Sequence, residues 1–143
     1  MEINKVYCCD NLELMKQISD ESVDLIYSDI LYGTGKDFGD YQDLKCDRKV
    51  IENFYLERFQ EMWRICRKSG AIYLQVDYRI VHWIRCLLDD ICGYNNFRNE
   101  IVWIYKALKQ NSEMTYAREH DNILFYAKPD HRITPDKRDF PTC

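Results

Sequence analysis

An acid and an aromatic residue three positions apart, Asp29 and Tyr32, stand between an apolar run and a Gly-x-Gly turn in the stretch SDILYGTG. If the preceding VDLIY is a buried strand, Asp29 emerges at its carboxyl end, where open sheets bind ligands. A carboxylate there can accept from an NH₂ group on a planar ligand. The Tyr32 ring can stack on the same ligand, an interaction worth ~1–3 kcal/mol per base in single-strand binders. Gly33 and Gly35 allow positive φ and a close backbone approach. The residues also fit an ordinary strand end, with a solvated Asp29 and a half-buried Tyr32. The aliphatic pair Ile30-Leu31, between acid and ring, is unexpected on either reading.

The elements that would position these groups follow from periodicity. Lys5–Cys9 (KVYCC) predicts a short strand, and Asp10 or Asn11 then caps a helix through Ile18. Val23–Ser28 predicts a buried strand. Asp29–Lys49 is a long polar and aromatic segment holding three of the five glycines, a length more typical of functional loops than of filler. Phe54, Phe59, Met62, Trp63 and Cys66 recur at helical spacing and predict a helix over Val50–Lys68, stopped by RKSG. Ala71–Val76, Glu100–Tyr105 and Asn122–Ala127 predict strands, and Tyr78–Ile91 a second amphipathic helix closed by Gly93. Strands alternating with helices indicate an α/β fold with helices on both faces of a parallel sheet. The last two strands, without a helix between them, predict an antiparallel edge pair.

Composition sets outer bounds. The chain of 143 residues has the length of one domain, and its net charge of −4 is not that of a basic nucleic-acid binder, although a local patch could serve. Seven cysteines without a CxxC pair, and three histidines without ligand-like spacing, predict no zinc site and no disulfide framework. With no signal-peptide pattern and no bilayer-length apolar run, the expectation is a reducing, cytoplasmic protein without membrane contact. Trp63, Trp83 and Trp103 read as core or interface aromatics, and His82 and His120 as structural histidines. Lys106, Lys109 and Arg118 could touch phosphates but, with Glu113 and Glu119 among them, read by default as a solvated loop.

VDLIYSDILYGTGKDFGDYQD resembles the catalytic segment of site-specific DNA amino-methyltransferases of the β-class, in which the signature reads Asp-Pro-Pro-Tyr or Asp-Pro-Pro-Phe. VYCCDNLELMKQISDESVDLI is similar to that family's lead-in. RKSGAIYLQVDYRIVHWIRCLLDDICGYNNFRNEIVWIYK resembles its central strand-helix-strand unit, and AREHDNILFYAK the strand that follows. Four segments in one order are a far more specific signal than four residues.

The resemblance implies a partial Rossmann-like, S-adenosylmethionine-dependent methyltransferase fold over residues 1–128. Its sheet would be mostly parallel with an antiparallel last strand pair, and residues 129–143 would form a poorly ordered polar tail. It implies a base flipped out of duplex DNA, with Asp29 and the Ile30 carbonyl each accepting one hydrogen of its exocyclic amine and Tyr32 stacking on the ring. Adenine N6 is the expected target, because the signature begins with Asp rather than Ser. Asp10 falls where a contact to the cofactor adenosine is expected, or is simply a helix N-cap.

Two departures from the family bear on activity. Ile30-Leu31 stands where two prolines would fix two φ angles, so a looser and weaker or inactive site is expected, which prolines at 30 and 31 would repair. None of the five glycines forms the family's later, glycine-rich cofactor motif. The chain therefore reads as an N-terminal part that acts with a missing C-terminal half, a second subunit or a second copy. The alternative is an inactive methyltransferase remnant serving as an interaction module.

Overall fold

The computed structural model describes residues 4–105, 114, 116 and 119–133. A five-residue helix α1 (Asn11–Met15) precedes strand β1 (Val23–Asp29), helix α2 (Arg48–Ile65) and strand β2 (Cys66–Val76). Helix α3 (Val81–Cys92) and a 3₁₀ turn (Tyr94–Asn96) lead to strands β3 (Phe97–Ile104) and β4 (His120–Ala127). The four strands form one sheet in the order β1-β2-β4-β3. β1 and β2 are parallel, while β4 lies antiparallel between β2 and β3. The fold is thus α/β with a mixed sheet in which β1, β2 and β3 share one direction.

Both crossovers, β1-α2-β2 and β2-α3-β3, advance across the sheet the same way. Because such crossovers are right-handed, both helices fall on one face. That face carries the core: Ile72, Leu74, Val76, Leu124 and Tyr126 of the sheet against Ile51, Tyr55, Phe59, Ile84 and Leu88 of the helices. The other face holds a smaller cluster of Ala71, Phe125 and Ala127, with Tyr73 stacked on Phe125 at 4.4 Å. In register with it lie the exposed Leu25, Tyr27, Ile101 and Trp103. Among the described residues no helix covers this face, so the expectation of helices on both faces is corrected. The winding never reverses direction within these elements, and reversal is what would send a helix to the other side.

Two element boundaries also differ from expectation. Lys5–Cys9 belongs to no strand: its residues are exposed and lie outside the sheet, Val6 fully exposed. An apolar pentapeptide gains strand structure only from a neighbour, and here the outer edge of β1 pairs with no described residue. RKSG does not stop α2, which ends at Ile65. Cys66 already has extended backbone angles (φ −66°, ψ 123°), and Arg67–Gly70 belong to β2 as a bulge. Val23 pairs with Cys66 and Leu25 with Ala71, so the extra residues of β2 are absorbed there. Gly70 is required at this point, since a Cβ would lie 2.8 Å from Cys66 Sγ and 3.0 Å from the Asp24 carbonyl oxygen.

Leu124→Ala, at a side chain 1% exposed on an interior strand, is expected to cost ~2–5 kcal/mol of unfolding free energy. Ile101→Ala on the uncovered face, 42% exposed, is expected to cost under ~1 kcal/mol. Urea unfolding of the two variants measures the contrast.

Candidate active site

β1 runs in register with β2 up to Asp29, which pairs with Gln75. The pairing then continues one residue past the strand, because the Ile30 N–H donates to the Gln75 carbonyl at 3.3 Å. This places the exposed Asp29 side chain on the sheet face away from the helices and the Ile30 side chain, 6% exposed, in the core beneath them. The Leu31 N–H donates to the Tyr55 hydroxyl at 2.9 Å, and that hydroxyl makes a longer contact, 3.4 Å, to the Leu31 carbonyl. Tyr55 is 3% exposed. Burial, the Leu31 contact notwithstanding, pushes its phenol well up from the ordinary value.

Tyr32 turns its hydroxyl back toward the sheet. The Gln75 side-chain amide donates to it at 3.1 Å and to the Asp121 carboxylate at 3.0 Å, while the Tyr27 hydroxyl donates to the Gln75 amide oxygen. Tyr105 adds a hydroxyl contact to Asp121 at 3.3 Å. Burial first, and then the Asp29 carboxylate facing it, push the Tyr32 phenol far up, so it remains a neutral hydroxyl. Asp29 and Tyr32 therefore lie together, but through the Tyr32 hydroxyl rather than the ring face, around a polar hub, Gln75, that the sequence reading missed. A glutamine inside the apolar AIYLQV strand was the available signal. Nothing in the α2 pattern singled out the hydroxyl of Tyr55.

The turn after Tyr32 is held by a second missed residue, Asp43, whose side chain is buried at 5% exposure. One oxygen accepts from the Gly33 and Leu44 amides (3.2 and 2.7 Å), the other from the Thr34 amide and hydroxyl (2.8 and 2.5 Å). Burial opposes the charge, but the Thr34 hydroxyl and the Thr34, Leu44 and Gly33 amides outweigh it and hold the carboxyl below its ordinary 3.8. Gly33 is obligatory: its φ is +68°, and a Cβ would sit 2.9 Å from Ile80 Cγ2. The polar stretch beyond folds back on itself through Gly35 N–H to Leu44 and Asp43 N–H to Lys36. Its tip carries Phe38 and Tyr41, stacked at 5.0 Å and half exposed. Asp29, Tyr32, Thr34, Phe38 and Tyr41 line one cavity of about 320 Å³, the lower end of the range for small-molecule sites.

The expected loosening at Ile30-Leu31 is offset in the structure. Both amides that prolines would lack are in use, on the Gln75 carbonyl and the Tyr55 hydroxyl. Ile30 does bury itself, as an aliphatic residue in this position would.

Asp10 is the N-cap of α1, accepting from the Leu12 amide at 2.8 Å, and its other oxygen receives Arg58 at 2.7 Å. The Leu12 amide, with help from Arg58, holds its carboxyl below the ordinary value against the opposing effect of burial. Asp10 also lines, with Asp29, Ile30, Tyr55 and Arg58, a second cavity of about 170 Å³. That is smaller than a nucleoside-sized cofactor needs. Lys106, Lys109, Glu113 and Arg118 lie outside the described residues, and Glu119 is exposed.

A family model described as DNA methylase, of the N6/N4 type, matches residues 23–141. The type II methyltransferase M.HpaI of Haemophilus parainfluenzae is 29% identical over 130 residues, covering 91% of this chain and 40% of the relative. Among solved structures, PvuII DNA methyltransferase (cytosine-N4-specific) aligns with a TM-score of 0.61 at 14% identity, over 87% of this chain and 49% of that one. The M1.HpyAVI–SAM complex aligns at 0.60 and 18% identity, over 94% and 60%. The chain thus spans about two fifths of M.HpaI and about half of the PvuII enzyme.

Asp43→Asn is expected to cost ~1–3 kcal/mol near neutral pH, because buried donors lose their charged acceptor. The carboxyl is depressed in the folded state, so its stabilisation is complete above the ordinary 3.8 and is lost as pH falls below it toward the folded-state value. The stability gap between wild type and variant, followed by denaturant unfolding from pH 7 to pH 3, should narrow only at the acid end.

Proposed function

Because the chain belongs to the N6/N4 DNA methylase family, we propose that Asp29–Tyr32 is the amine-binding segment of a site-specific DNA amino-methyltransferase. The observation that carries this reading is the cavity at the carboxyl end of β1 that Asp29, Ile30 and Tyr32 line together. In this reading the Asp29 carboxylate and the Ile30 carbonyl each accept one hydrogen of a flipped base's exocyclic amine. Holding both hydrogens draws the nitrogen toward sp³ geometry and frees its lone pair for attack, a contribution of positioning and hydrogen bonding. Tyr32 stacks on the base, and the Phe38–Tyr41 pair adds aromatic surface to the same cavity. Adenine N6 is the favoured target, on the family tendency that accompanies a signature beginning with Asp.

S-adenosylmethionine, when bound, supplies the electrophilic methyl group. Asp10 would take its adenosine, and the rest of its site would come from the length that the relatives have beyond the part matched here, in a larger polypeptide, a second subunit or another copy. Duplex DNA is the partner in this reading. The small cavity between Asp10 and Asp29 favours a second reading for this chain by itself, that of a non-catalytic module which keeps the fold and pairs with a complete methyltransferase.

Deoxyadenosine titrated into the 15N-labelled chain should shift the amides of Asp29–Gly33, whereas N6,N6-dimethyldeoxyadenosine, which has no amine hydrogens, should not. Equal shifts from both nucleosides, or none from either, would overturn the amine-binding assignment. Calorimetry with S-adenosylmethionine should give no binding heat for the 143-residue chain; measurable binding would sink the claim of an incomplete cofactor site.

A further inference from the structure

The Ile30-Leu31 pair raises a question that the family resemblance does not answer: what fixes the backbone between Asp29 and Tyr32 without proline rings? We infer that the Tyr55 hydroxyl is a positioning group that takes over this task, acting with the Gln75 carbonyl as a two-point staple on the segment.

The staple consists of the two amides unique to a non-proline pair. The Ile30 N–H goes to the Gln75 carbonyl (3.3 Å), an extension of the β1–β2 ladder, and the Leu31 N–H goes to Tyr55 (2.9 Å). Tyr55 suits the second role because its own position is over-determined. It is 3% exposed in α2, its ring stacks on Phe59 at 5.1 Å and meets the edge of Phe54 at 5.0 Å. Among the described residues its hydroxyl bonds to the Leu31 backbone alone. A ring constraint fixes φ from within the chain, whereas this staple fixes the same segment from two neighbouring elements, α2 and β2. The Ile30 side chain, buried in the core, adds a third anchor that a proline is too short to supply. The segment is thereby tied to the helix layer on one side, while Tyr32 is tied to Gln75 on the other. The staple itself is a statement about conformation. Its service to base binding rests on the function proposed above.

A consequence distinguishes this arrangement from simple packing. In the wild-type background Tyr55→Phe leaves the Leu31 N–H without its acceptor. In a Leu31→Pro background there is no N–H to orphan, so the same substitution should be nearly silent. Amide exchange of the full 143-residue chain should show Leu31 exchanging on the order of tenfold or more faster in Tyr55→Phe. The melting temperature should fall by a few degrees in the wild-type background and by much less in the Leu31→Pro background. Unchanged Leu31 protection in Tyr55→Phe, or an equal loss in both backgrounds, would overturn the staple. If Leu31→Pro does not fold, the exchange measurement on Tyr55→Phe alone decides. Deoxyadenosine titration of the same variants reads the positioning role: the amide shifts at Asp29–Gly33 should weaken in Tyr55→Phe and return in the double variant. Failure of every variant and the wild type to bind the nucleoside would overturn the functional reading, while the exchange result would still decide the staple.

Discussion

The parallel pairing of β1 with β2, carried one residue beyond the strand by the Ile30 amide on the Gln75 carbonyl, is the constraint on which the candidate site depends. Side chains alternate across a strand, so this register alone sends Asp29 to the open face and Ile30 to the core. A slip of one residue would bury the acid and expose the isoleucine. The same register sets Gln75 beside Asp29, where its side chain reaches Tyr32, Tyr27 and Asp121. Backbone pairing thereby aims the acid, and a side chain of the paired residue aims the ring.

The loop that follows is organised around a charge rather than around apolar contacts. Asp43 gathers three amides and a hydroxyl in a site where its own burial is unfavourable. Charge-assisted bonds to the main chain are among the stronger hydrogen bonds available, and several of them repay the desolvation of one carboxylate. A segment rich in glycine and polar residues, with little to bury, acquires a fixed shape in this way. That shape carries the stacked Phe38 and Tyr41 to the cavity wall. The site is therefore framed from three directions: β2 through Gln75, α2 through Tyr55, and the loop through Asp43.

Winding direction accounts for what the elements leave open. Both helices cover one sheet face because both crossovers advance the same way. Asp29, Gln75 and Tyr27 point to the other face, with Leu25, Ile101 and Trp103 exposed around them. In open α/β sheets ligands bind where the strand order reverses, and no described element passes beyond β1 to make that reversal.

Much of this was legible in the residues themselves. Hydrophobic periodicity located α2, α3 and the strands from Val23 onward to within a few residues. The pairing of acid, ring and glycine turn in SDILYGTG marked the candidate site, and the order of four segments pointed to the family that the comparisons then matched. Local signals failed where the outcome lay with a distant partner. KVYCC has strand composition but does not join the sheet, and RKSG looks like a helix stop but is carried into β2 as a bulge between Cys66 and Ala71, the residues paired with β1. The fate of Ile30-Leu31 was of this second kind. The sequence by itself determined that two prolines were absent and two amides present. Only the tertiary structure decided that those amides would meet the Gln75 carbonyl and the Tyr55 hydroxyl, because a hydrogen bond between residues 24 positions apart depends on how α2 docks and leaves no trace in local spacing.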